Sequence, residues 1–96
     1  MAVKTTRYDT AEYLDSEEKI AAYMNAVLED GNPSLVSHAL GVAARARGMA
    51  QVARETGLSR ESLYRALSSD GNPELATVLK VLKALGIRLT VEPVDA

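Results

Sequence analysis

Residues 51–67 place a glycine, Gly57, between two short runs whose apolar residues keep helical spacing. A chain with that pattern must fold two brief helices across a tight turn. Ala53 is small enough to let the helices approach, and Gly57 supplies a turn conformation that a side chain resists. Val52, Leu58, Leu63 and Ala66 fall where the pair buries apolar surface. The pattern is a helix-turn-helix, and the rest of the chain must pack around it.

What packs there is bounded by length and composition. Ninety-six residues make one small domain with a single core. With no Phe and no Trp, that core is built from Leu, Val, Ile and Ala on closely packed helices. The absence of cysteine excludes a disulfide framework and a thiolate metal site, and is consistent with a reducing cytosol. No apolar run approaches the roughly 20 residues of a membrane span, and residues 1–7 lack the apolar stretch of a secretion signal. A soluble, cytoplasmic protein with no membrane partner is expected.

Punctuation divides the chain into helices. Residues 9–14 suit one helical turn. Asp15 reads as an N-cap with Glu18 reaching back to it, and Ile20, Tyr23, Met24, Val27 and Leu28 follow at amphipathic spacing, predicting a helix over 16–29. The tetrapeptide at 30–33 recurs at 70–73. In both copies glycine suits the end of one helix, asparagine can cap the next, and proline fits its first turn. The spacing predicts a helix over 34–47 that buries Leu35, Ala39, Leu40, Val42, Ala43 and Ala46. Another over 74–85 carries Leu75, Val78, Leu79, Leu82 and Leu85 as one apolar stripe. Residues 87–92 alternate apolar and polar up to Pro93, the pattern of a half-buried strand. Such a strand needs a partner from residues 3–8, a second copy or another protein; the alternative is an extended, solvated tail.

The small net negative charge hides an uneven distribution. Residues 8–33 hold seven acids against Lys19, a net of −6. Residues 45–88 hold eight bases against four acids, a net of +4. A basic half is the electrostatic footprint of a phosphate-binding face, although charged helix faces are also simply solvated.

Gln51, Ala53, residues 57–59, Leu63 and the helix leading to Gly86 resemble the lambda-repressor-like, or XRE-type, DNA-binding domain over residues 35–85. Across nearly the whole chain, residues 8–14, 43–49, 55–64 and 77–86 are similar to the small HigA-like addiction-module antidote proteins. That resemblance implies a DNA-binding antitoxin. Such a protein neutralises a RelE-like, ribosome-dependent RNase toxin encoded beside it and represses the shared operon.

With Ser59 capping the second helix of the motif, Arg60 and Glu61 lie in its first turn, and Tyr64 and Arg65 lie one turn later. Arg60 and Arg65 are assigned to guanine edges or phosphates, since an arginine fork can bond a guanine edge bidentately. Glu61 either accepts from a cytosine amino group or stabilises the helix dipole. Tyr64 either meets a phosphate or thymine methyl, or simply packs. Gln51 positions the domain on backbone phosphate, as in similar domains. Ser59 and Ser68 donate to phosphate or serve only as helix-terminus residues. Arg45 and Arg47 precede the motif and either reach flanking phosphate or remain solvated.

No catalytic constellation is present. His38 is the only histidine and has no partner at catalytic spacing, and the glycines are scattered as helix punctuation without a phosphate-loop pattern. No metal site and no cofactor are expected. Tyr8, Asp9, Glu12 and Tyr13 are assigned to toxin contact, where the acidic sign suits a basic partner, the alternative being that this segment packs on the motif's own core as an extra helix.

The expected architecture is an all-α, lambda-repressor-like helix-turn-helix bundle with an N-terminal helical extension over 1–33. The DNA-binding domain occupies 34–92 and ends in a short C-terminal β-strand. The expected protein is a homodimer on double-stranded operator DNA, with a stand-alone XRE-type regulator and a non-DNA-binding interaction adaptor as alternatives.

Overall fold

The computed structural model of the protein describes residues 9–95. The chain enters through a 3-10 turn, Thr10–Tyr13, capped by Asp9, whose Oδ1 accepts the Ala11 N–H at 3.1 Å. Leu14 then drops into the core and Asp15 turns outward. Helix α1, Glu17–Asp30, is capped by Ser16, one residue later than the expected Asp15. Ser16 Oγ accepts the Lys19 N–H at 3.2 Å, while Asp15 forms an ion pair with Lys19 Nζ at 3.0 Å. A hydroxyl at the cap takes the orphan donor, and the carboxylate one residue earlier is left for the lysine.

Helix α2, Pro33–Arg47, begins as its tetrapeptide predicts. Asn32 Oδ1 accepts from the Ser34 N–H at 2.9 Å and the Leu35 N–H at 3.4 Å, and Pro33 occupies the first turn. The second copy of the tetrapeptide behaves differently. Asn72 caps nothing; Glu74 precedes the first helical residue of α5, Leu75–Ala84, and no side chain caps it. Instead the loop between α4 and α5 is tied to α2. Ser34 Oγ donates to the Ser69 carbonyl at 2.7 Å and Ser37 Oγ to the Gly71 carbonyl at 3.4 Å. Identical residues are thus put to different use by what lies beside them.

Helix α2 is the central strut, contacting the 3-10 turn, α1, α3 (Met49–Thr56) and α4 (Arg60–Ala66), while α5 packs principally on α3. One aliphatic core results, joining Leu14, Ile20 and Met24 to Leu40, Val52, Leu63, Val81 and Leu85. Small residues make the strut possible. Ala39, Ala43 and Ala44 are almost fully buried, and Gly41 lies against the end of α4, where a Cβ would run into the Leu67 carbonyl.

Two expectations about apolar faces are corrected. Leu75 is 67% and Leu79 48% exposed, because only one side of α5 is covered by α3, and that side carries Val78, Val81, Leu82 and Leu85. Leu35, at the exposed start of α2, is likewise not buried.

The short C-terminal β-strand expected over 87–92 is not formed, and among the described residues the architecture is all-helical. Helix α5 ends in a Schellman arrangement: the Gly86 N–H donates to the Lys83 carbonyl at 3.0 Å and the Ile87 N–H to the Leu82 carbonyl at 3.1 Å, with Gly86 at φ +80°. Ile87 packs on the core as the apolar contact of that arrangement. Beyond it the alternation loses its cover, Leu89 being 43% and Val91 96% exposed. A lone extended segment has no ladder to join. The candidate partner segment, 3–8, lies outside the described residues.

Candidate nucleic-acid interface

The site is built on the joint between α3 and α4. Val52 and Leu63 are fully buried, one from each helix, and Gly57 adopts φ +76° between them. Thr56, which the sequence reading passed over, closes the turn. Its buried Oγ1 donates to the Val52 carbonyl at 2.8 Å and accepts the Leu58 N–H at 3.3 Å. One hydroxyl therefore satisfies groups on both sides of the glycine, fixing the angle at which α4 leaves α3. The only sequence signal for this role is a β-branched polar residue immediately before a turn glycine.

Ser59 starts α4. Its Oγ accepts the Ser62 N–H at 3.0 Å and donates to Ser62 Oγ at 2.9 Å. From there Leu63 points into the core, and Arg60, Glu61, Tyr64 and Arg65 share the opposite side of the helix. All four are exposed, and no side chain of the four makes a hydrogen bond or ion pair with another described residue. The structure thus brings two guanidiniums, a carboxylate and a phenol onto one open helical face.

The remaining expected contact residues are locally engaged. Gln51 Nε2 donates to Glu55 Oε2 at 2.9 Å, holding its amide along α3. Ser68 Oγ donates to the Arg65 carbonyl at 3.1 Å, closing the end of α4. Arg54 and Arg47 are exposed at the ends of neighbouring helices.

The N-terminal set lies elsewhere on the molecule. Glu12 and Tyr13 are exposed on the 3-10 turn, and Tyr8 lies outside the described residues. Asp9 is not open: its Oδ2 accepts from Arg45 Nη1 at 3.1 Å and its Oδ1 from Nη2 at 3.5 Å. The Arg45 guanidinium, followed by the Ala11 N–H, holds the Asp9 carboxyl below the usual aspartate value. Arg45 is therefore tied to the N-terminal turn rather than simply solvated.

No helix among the described residues is long and apolar enough to cross a membrane. A family profile described as "Probable addiction module antidote protein" matches residues 4–93. A relative described as an uncharacterized protein of Haemophilus influenzae is 53% identical over 85 residues, covering 88% of each chain. No solved structure matches. The chain belongs to the addiction-module antidote family, a membership that implies a toxin partner and a non-enzymatic role.

Proposed function

We propose, from that membership, that the protein is the antitoxin of a type II toxin-antitoxin module, binding operator DNA through α4 and a RelE-like toxin through its N-terminal segment. The open face of Arg60, Glu61, Tyr64 and Arg65, on a helix held at a fixed angle by Gly57 and Thr56, carries the DNA half of this reading. Two arginines on such a face suit guanine edges or phosphates, and a buried anchor such as Leu63 keeps them in register. Seven helical residues span few base pairs, so a homodimer is required. Its two copies of α4 would lie about 34–36 Å apart on a palindromic site. Gln51, Ser59 and Ser68 then act chiefly by positioning the helix, with phosphate as their partner when the duplex is in place. Repression of its own operon follows if that site overlaps the promoter.

The test is a titration of the protein against DNA upstream of its own gene at two salt concentrations, with unrelated duplex as control. Preferential binding that weakens as salt rises, and is lost on Arg60→Ala with Arg65→Ala while the fold is retained, supports the DNA reading. Absence of salt-sensitive binding by the wild type would overturn it and leave an interaction adaptor. Co-purification with the product of an adjacent gene, abolished by changes at Glu12 and Tyr13, separates an antitoxin from a stand-alone regulator.

A further inference from the structure

Beside the open face of α4 lies an open notch of about 210 Å³ between α2 and the end of α4. Gly41, Val42, Met49 and Leu67 give it an apolar lining. His38, Arg45, Tyr64, Ser68 and Ser69 stand around it. His38, Arg45, Tyr64 and Ser69 bring hydrogen-bond donors to it, the Ser68 hydroxyl being already given to the Arg65 carbonyl, and no carboxylate lines it, a composition that suits an oxyanion. The seat is also held in shape. The Ser34 and Ser37 hydroxyls tie the loop after α4 to α2, so Ser68 and Ser69 keep a fixed distance from the helix that carries Arg45.

Arg45 already grips an oxyanion. The Asp9 carboxylate meets both of its terminal nitrogens, although each side chain of the pair keeps more than 40% of its surface in solvent. An exposed pair of this kind is weak and exchanges readily for a stronger acceptor. Tyr64, which belongs to the exposed face of α4, also borders the notch, so a duplex lying along α4 would bring its backbone to Arg45.

We propose that this notch seats a DNA backbone phosphate, with Arg45 as its cation and Asp9 as the internal anion that the phosphate displaces. The inference rests on the DNA-binding reading above and adds a contact outside the helix-turn-helix. It gives Arg45 a positioning role, uniform across sequences, and makes the N-terminal turn a built-in competitor for DNA.

The test is binding of the full chain to DNA upstream of its gene, and to unrelated duplex, over a series of salt concentrations. Arg45→Ala should flatten the dependence of log affinity on log salt by about one unit on both duplexes, leaving the preference between them unchanged. Arg45→Lys should keep the wild-type slope. Asp9→Asn, which preserves a cap at the 3-10 turn, should tighten binding about two- to five-fold at low salt. Glu12→Gln, the same charge change on the same turn without a bond to Arg45, should tighten it less. The Asp9→Asn gain should vanish in the Arg45→Ala background. Thermal melts of each variant establish that the fold is intact. If the wild type binds its upstream DNA but Arg45→Ala keeps the full salt slope, the notch proposal is overturned while the reading of α4 stands. If Asp9→Asn gains no more than Glu12→Gln, Asp9 is not the competitor. A wild type with no DNA binding removes both readings together.

Discussion

Replacing Gly41 by alanine sets two rules against each other. In the middle of a helix, alanine is favoured over glycine by about 1 kcal/mol, so local propensity alone predicts stabilisation. In this fold a Cβ at position 41 would overlap the Leu67 carbonyl oxygen and lie 3.3 Å from its carbon. The obstacle is backbone at the end of α4, which cannot swing aside as a side-chain tip would. Overpacking costs typically about 1–3 kcal/mol, and a backbone clash belongs at the upper end. The net expectation is a loss of about 2 kcal/mol, or a melting temperature lower by about 8–16 °C for a domain of this size. Thermal unfolding followed by far-ultraviolet circular dichroism measures it. Amide NMR shifts should change most at Leu67, Ser68 and Ser69, since the end of α4 must give way. A melting temperature that rises would show that α2 and α4 are not packed as described and would refute the argument.

Asp9 should titrate below the ordinary aspartate value, because the Arg45 hydrogen bond, then the Ala11 N–H, favours its charged form. With the folded value depressed, the tie stabilises the fold above the ordinary aspartate value and is lost as pH falls through the lowered one. Arg45→Ala should move the Asp9 midpoint upward in a carboxyl NMR titration, and an unmoved midpoint would refute the pairing. On α5, Leu85→Ala should cost about 2–5 kcal/mol because the side chain is fully buried. Leu75→Ala, at a site 67% exposed, should change stability by less than about 0.5 kcal/mol. Equal losses in urea unfolding would show that the wrong side of α5 has been assigned to the core.

The helix-turn-helix was legible because its residues act over short range. Gly57, Ala53, Val52 and Leu63 answer to the turn and to their immediate neighbours, and their places in the fold match the sequence reading. The first tetrapeptide was legible for the same reason, since Asn32 bonds only two and three residues ahead. Features set by distant packing were not. Leu75 and Leu79 fit the apolar period of α5 as well as Leu82 does, and only the placement of α3 decides which side is covered. Gly41 read as punctuation, yet it sits inside α2 because Leu67, 26 positions later, comes to rest against it. The alternation over 87–92 marked a strand only on the premise that a second strand lay beside it. The exposed face of α4 could be predicted from helical geometry, whereas the tie between Asp9 and Arg45, 36 positions apart, could not.

A core made wholly of aliphatic side chains also decides what light can report about this molecule. With no Trp and no Phe, its near-ultraviolet absorbance and emission come from tyrosine. Of the described tyrosines, Tyr13 and Tyr64 are exposed and Tyr23 is half-buried at the edge of the core, within electrostatic reach of Arg45. Tyrosine emission is therefore a poor gauge of whether the interior has melted. It is instead a pair of lamps on the surfaces proposed for binding, Tyr64 on α4 and Tyr13 on the N-terminal turn, already in place without any introduced label.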